Sequence, residues 1–238
     1  MKSNKLTGNV VEIFSSIQGE GLFCGQRQTF IRMHGCNLAC SFCDTPSALQ
    51  NHPCIEMTTL QLAHECACLG VYDVSLTGGE PLLQADFLSE LIVTMMNSSD
   101  KGKVPQKPFR FHLETNGTLP KPMKQIDHLV DVVAMDIKLP SATGLDPLWK
   151  QHAEFLEACS VDKVFVKVVV AAESTQDEII TASKLVAGIS PNIPMILQPV
   201  SGSNQPCGDV LISHQNTASD FLRDVRVIPQ CHKILGVR

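Results

Sequence analysis

The sequence predicts an α/β fold on a parallel sheet that curves into a full or partial barrel. Three observations carry this. Short β-rich runs alternate with helical patterns from Val10 onward, no Pro, Ser or Gly linker interrupts them, and the unusual polar segments all fall just after strand patterns. In order, the runs are VVEIFSS, QTFIRMHG, DVSLTGG, FRFHLETNG, LVDVVAMDIK, KVFVKVVVA, PMILQPVS and VRVIP. Each is rich in β-branched and aromatic residues and bounded by Gly, Pro, Asn or Ser, which predicts strands. Thr58 with Gln61 and Thr175 with Glu178 have capping-box spacing, and the segments they open carry apolar residues at helical intervals to Gly70 and Gly188. Strand and helix in alternation imply parallel strands with right-handed crossovers, whose ligands sit at the carboxyl edge. HGCNLAC, TGGEP, ETNG, DIKLPS and QPVS all fall there, so five segments are expected at one mouth.

Composition narrows the class. The chain has 238 residues, 44% hydrophobic and 18% charged, which excludes a disordered or low-complexity filament; one domain over 1–238 is expected. A net charge of −5 leaves no broad basic face, so a nucleic-acid ligand is not expected. No window offers the ~18 apolar residues a span needs, and MKSNKLTGNVVEIFSS has no apolar stretch after its lysines, so a soluble, unexported protein without membrane partner is expected. Ten cysteines then read as reduced thiols. Cys24, Cys54, Cys66, Cys68, Cys159, Cys207 and Cys231 are scattered, as small packing hydrophobes are.

Cys36, Cys40 and Cys43 form CxxxCxxC on a loop near the N-terminus, after the second strand pattern. Three thiolates hold three irons of a 4Fe-4S cube and leave the fourth open to an exogenous ligand. A zinc site completed by His34, Cys54 or Cys24 is the competing reading.

With Phe42 before the last cysteine and TGGEP at Thr77 to Pro81, the chain resembles the radical S-adenosylmethionine (SAM) enzymes. IQGEG, FIR ending at Arg32, CDT at Cys43 to Thr45, ETNG, DIKLPS and the closing PQCHKILGVR make it similar, along almost its whole length, to the 7-carboxy-7-deazaguanine synthase family. That resemblance implies an incomplete, TIM-like barrel of parallel strands with outer helices, a homodimer, and a cytoplasmic lyase. It also implies that a radical derived from SAM removes a hydrogen from 6-carboxy-5,6,7,8-tetrahydropterin, whose ring contracts and loses ammonia on the way to queuosine or another 7-deazapurine. A flavodoxin or ferredoxin is the implied electron donor. An activating enzyme for a glycyl-radical protein shares the cysteine triplet and GGE segments, and a noncatalytic iron-sulfur or zinc protein would need a fourth ligand such as Cys54.

Residue by residue, the resemblance places Phe42, Cys43, Asp44, Gly79, Asp136, Ile137, Lys138, Gln198, Pro199, Val200 and Ser201 at the SAM cofactor. Gly78 and Gly79 would let backbone approach the cofactor's amino group. Asp136 and Lys138 also read as a surface ion pair. Ile17, Gln18, Gly19, Glu20, Arg32, Thr77, His232 and Arg238, the last through its carboxylate, fall to the pterin. Arg32 suits a carboxylate because its planar guanidinium donates two parallel hydrogen bonds, although a strand arginine facing outward is the plain alternative; Gln18 offers donor and acceptor, and Glu20 accepts from ring N–H groups or is merely solvated. Thr45 would help hold Mg²⁺, which prefers hard oxygen ligands, or else caps the loop before Pro46.

Overall fold

A computed structural model describes residues 6–41, 43–49, 51–97 and 108–238. Its strands are β1 (Thr7–Ile17), β2 (Arg27–Met33), β3 (Ile55–Thr58), β4 (Asp73–Gly78), β5 (Arg110–Thr115), β6 (Val132–Ile137), β7 (Val164–Val170), β8 (Met195–Pro199) and β9 (Val225–Val227). They form one open sheet in the order β3-β1-β2-β4-β5-β6-β7-β8-β9. From β2 to β9 every neighbouring pair is parallel, as the alternating pattern predicts. The start differs: β1 runs antiparallel to both β2 and β3. Only residues 18–26 join β1 to β2, too few for the crossover that parallel pairing requires, so the two close as a hairpin. β3 was not expected, since IEMT is half exposed and lacks the apolar run that marks a buried strand.

The helices are α1 (Thr59–Leu69), α2 (Ala85–Asn97), α3 (Pro120–Ile126), α4 (Pro140–Thr143), α5 (Trp149–Glu157), α6 (Gln176–Ile189), α7 (Gly208–Ser219) and α8 (Cys231–Leu235). Both expected capping boxes form, Thr58 with Gln61 and Thr175 with Glu178. Gly70 ends α1 in the left-handed conformation at φ 65°. Gly188, by contrast, lies inside α6. Ser190 supplies the stop at φ −163°, ψ 129°, because the ring of Pro191 excludes helical geometry from the residue before it.

Helices α1, α2, α3, α5, α6 and α7 contact one another in sequence and cover one face of the sheet. Phe111, Phe155, Leu76, Leu91 and Leu113 are fully buried there, each stabilising the fold by roughly 1.5–3 kcal/mol. Alternate residues point to the opposite, concave face, where the strand ends surround a cavity of about 410 Å³.

Candidate active site

Strand β2 lies beside β4 with Met33 opposite Gly78, and the chain leaves it through Gly35 (φ 97°) into the cysteine loop. Two backbone bonds lace that loop to TGGEP: Gly79 N–H to Met33 O (3.2 Å) and Glu80 N–H to Gly35 O (2.8 Å). A Cβ on Gly78 would stand 2.2 Å from Met33 O, and one on Gly79 2.2 Å from Gly35 O and 2.9 Å from Cys36 Cβ. The contacts that exclude a side chain here are therefore those of the protein's own loop.

Cys36, Cys40 and Cys43 line the cavity together. Leu38 N–H donates to Cys36 Sγ (3.5 Å), and Asn116 Nδ2 lies 4.0 Å from it. Burial pushes the Cys36 and Cys40 thiols above their ordinary value. Phe42 lies outside the described residues. None of the other seven cysteines lines the cavity, Cys54 is exposed, and His34 donates through Nε2 to His52 O (2.9 Å). Among the described residues no three His, Cys, Asp or Glu side chains are grouped to hold one metal ion. Three thiols opening on a shared cavity, with an N–H aimed at one sulfur and no fourth ligand among the described residues, fit three corners of a cube and do not fit the zinc reading.

Glu80, wholly buried, ties this loop to the end of β5. Its carboxylate accepts from Thr115 Oγ1 (2.9 Å), Asn116 N–H (2.8 Å) and Leu82 N–H (3.1 Å). Burial outweighs these bonds and pushes the carboxyl up to about 7.

At the ends of β6 and β8 the expected cofactor residues divide by the period of a strand. Asp136 and Lys138 line the cavity as a half-buried ion pair (2.8 Å), not a surface one, while Ile137 between them points into the hydrophobic core, leaving only its backbone available to a ligand. Gln198, Pro199, Val200 and Ser201 all line the cavity. Among the described residues Asp136 Oδ1 and Gln198 Oε1 are buried with no hydrogen-bond partner, two acceptors at strand ends that fit a ligand with hydroxyl or amine donors. His152 fixes the strand end: its Nε2 accepts from Lys138 N–H (3.1 Å), so Nδ1 carries the proton toward Gly117 O (3.0 Å). Burial pushes it down to about 4 and keeps it neutral.

On the other wall stand Ile17, Gln18, Gly19, Glu20, Arg32, Thr77, His232 and Arg238. Gln18 Nε2 donates to Glu114 Oε1 (2.7 Å), and Thr77 Oγ1 to Glu114 Oε2 (2.8 Å). Glu20 is not solvated: Lys167 Nζ contacts one carboxylate oxygen and Gln230 Nε2 donates to the other (2.9 Å). Burial alone would raise this carboxyl, but the Lys167 ammonium overrides it and holds it down, to about 2. Arg32 faces the cavity with its fork partly used, Nε donating to Glu12 (2.8 Å) and Nη1 lying 3.5 Å from Thr45 Oγ1. Thr45 precedes a 3-10 turn at Pro46–Ala48 but makes no side-chain cap, so its hydroxyl serves the cavity rim beside Asp44 (3.2 Å). A Cβ on Gly19 would strike His232 Nδ1 at 2.3 Å, so this glycine lets the segment entering α8 settle on the mouth.

Sequence reasoning missed Lys167, Glu114 and Gln230. Lys167 had a signal, a lone charge in KVFVKVVVA, and Glu114 and Gln230 lie inside ETNG and PQCHKILGVR; what those motifs do not disclose is the contact of Gln230 with Glu20, Asp44 and Ser201, which are distant in sequence.

The Radical SAM superfamily pattern matches residues 30–166. The chain is 37% identical over 249 residues to the 7-carboxy-7-deazaguanine synthase of Geobacter sulfurreducens, covering 94% of this chain and 96% of the relative. It is 34% identical over 248 residues to the synthase of Archaeoglobus fulgidus, covering 98% and 100%. Among solved structures, QueE from Escherichia coli aligns with a TM-score of 0.65 at 21% identity, over 98% of this chain and 100% of that one. Archaeal TYW1 aligns at 0.55 and 12% identity, over 82% and 72%. At those identities the likeness speaks for the fold.

Proposed function

The chain belongs to the 7-carboxy-7-deazaguanine synthase family of the Radical SAM superfamily, and on that premise we propose how its cavity converts 6-carboxy-5,6,7,8-tetrahydropterin to 7-carboxy-7-deazaguanine with loss of ammonia. The enzyme is a lyase in queuosine and 7-deazapurine biosynthesis, not a glycyl-radical activase or a noncatalytic metal protein. A 4Fe-4S cluster, which Cys36, Cys40 and Cys43 would hold, and SAM beside it would supply the radical chemistry for abstracting one hydrogen from the pterin.

The protein's share is placement, charge and exclusion of water. Cys36, Cys40 and Cys43 hold the cluster, and Gly35, Gly79 and Glu80 fix their loop. Asp44, Asp136, Lys138 and Gln198 to Ser201 present polar atoms to SAM, with the orphaned acceptors of Asp136 and Gln198 taking its donors. Gln18, Glu20 and Thr77 meet the ring's alternating donors and acceptors, the Arg32 guanidinium supplies positive charge for the substrate carboxylate, and His232 and the carboxylate of Arg238 stand beside the substrate. Phe14, Leu38, Leu49 and Val169 add apolar wall to the cavity, which excludes water from the reacting groups. Thr45 would contribute one hydroxyl oxygen toward a Mg²⁺ ion that also draws on hard oxygens of the substrate. Thr45→Ala is expected to weaken Mg²⁺ dependence and pterin affinity with cluster absorbance unchanged; activity in the unaltered enzyme that is equal with and without Mg²⁺ would reject the role.

We place the enzyme in the cytoplasm as a single-domain homodimer that takes electrons from a flavodoxin or ferredoxin and binds neither nucleic acid nor membrane. Among the described residues no helix is long and apolar enough to cross a membrane.

One observation carries the assignment of roles: the three loop thiols and the polar edge formed by Gln18, Glu20 and Glu114 open into the same cavity. Anaerobic incubation of cluster-loaded protein with the pterin, SAM and a reductant is expected to yield 5′-deoxyadenosine and 7-carboxy-7-deazaguanine. Neither product from a preparation whose paramagnetic spectrum shifts on adding SAM would overturn the substrate assignment.

A further inference from the structure

We propose that Lys167 is a positioning residue for this reaction, its ammonium keeping Glu20 ionised and aimed at the pterin ring so that a buried carboxylate accepts ring N–H donors across the neutral range. The proposal rests on the functional reading above and deepens it.

Strand β7 reads VFVKVVV, and all seven residues are buried. One lysine in such a strand puts a charge where dispersion and apolar burial would otherwise prevail. Its register partner across the parallel ladder is Asp136, and its Nζ contacts Glu20 Oε2. The charged groups around the pair come from three other elements. Glu114 stands on β5, Asp136 on β6 with Lys138 just after it, and His232 in α8 acts on Glu20, which itself follows β1. Lys167 thus stands among three carboxylates, two on the substrate wall and one on the cofactor wall. Gln230 holds the second oxygen of Glu20 and, through the same amide nitrogen, Asp44 (3.1 Å).

Stability alone does not account for such a pair. Exchanging a buried ion pair for apolar side chains of similar volume is commonly neutral or favourable to folding, whereas removing one partner leaves the other charge uncompensated. What an apolar replacement does not provide is an ionised acceptor in a water-poor cavity. Without Lys167, burial would favour the protonated form of Glu20, opposed only by the Gln230 hydrogen bond and by His232. The carboxyl then offers fewer lone pairs to the ring as pH falls.

The test is calorimetric titration of the cluster-loaded enzyme with the pterin, SAM present and reductant absent so that no turnover occurs, from about pH 6 to about pH 8.5. Affinities are expressed relative to the unaltered enzyme, which cancels titration of the pterin itself. For Lys167→Met the ratio is expected to fall roughly tenfold or more toward the acid end. For Glu20→Gln, and for the double variant, it is expected to be low and flat, with the double no weaker than Glu20→Gln alone. A flat ratio for Lys167→Met overturns the proposal while leaving the functional reading intact; no pterin binding by the unaltered enzyme overturns both. Should Lys167→Met fail to load its cluster, the double variant, in which the Glu20 charge is removed together with its ion-pair partner, must still fold and load. Failure of the double would give Lys167 a different task and overturn the proposal.

Discussion

At position 79 a methyl group would fall 2.2 Å from a carbonyl oxygen of the cysteine loop, so Gly79→Ala must displace the loop to exist. The expected outcome is a folded chain that takes up far less iron than the unaltered one, measured as iron per chain after anaerobic reconstitution. Glu80, one residue on, gives a prediction in pH. Its native carboxyl is raised to about 7, so its contribution to stability is complete below the ordinary carboxylate value and is lost as pH rises through about 7. Glu80→Gln cannot titrate and leaves one buried N–H without an acceptor. The stability gap between wild type and variant is therefore expected to be widest in acid and to narrow toward pH 8, by up to roughly 1.4 kcal/mol for each pH unit between the unfolded and native values. Urea denaturation at several pH values measures it, and a pH-independent gap would contradict the strut described for Glu80. Residues of this kind were legible only in part. CxxxCxxC and TGGEP declare themselves because their chemistry is local in sequence. Arg32 was legible as a cation at the mouth, but not its bond to Glu12, because the register that pairs those two strands is not written in either one.

Elements were legible where local chemistry decides them. Eight strand patterns and both capping boxes appear where read, since alternating β-branched runs and an oxygen three residues before an N–H act over a single turn. What failed depended on neighbours: β3 exists because β1 offers it an edge, and α6 passes Gly188 because the next stop is a proline's preference acting on Ser190. At the start of the same helix, Thr175 accepts from Glu178 N–H (3.3 Å), and Glu178 also binds Ser141 through its N–H (2.8 Å) and hydroxyl (2.6 Å), joining α6 to the turn after β6. Thr175→Ala is expected to cost about 1 kcal/mol and lower Tm by roughly 2–4 °C while leaving Ser141 in place. Thermal melts followed by circular dichroism check the first part, and unchanged SAM affinity the second.

The whole molecule is an open sheet whose ends, β3 and β9, do not meet, and residues 229–238 return to the opposite side of the mouth. Cys231 N–H reaches Gly19 O (2.8 Å), Ser16 Oγ donates to Arg238 O (2.8 Å), and Arg238 lies over the Phe14 ring at 4.5 Å while pairing with Glu12. Deleting residues 231–238 is accordingly expected to spare the sheet, iron loading and the spectral shift caused by SAM, and to abolish calorimetric binding of the pterin. Loss of the iron as well would mean that this segment supports the cysteine loop rather than the substrate wall. Its lacing to β1 also makes this segment the weak hinge of the pocket: fraying of residues 229–238 opens the substrate wall while the thiol loop stays tied to the end of β2 and to the turn after β4, so mild warming is expected to silence substrate capture before the sheet melts.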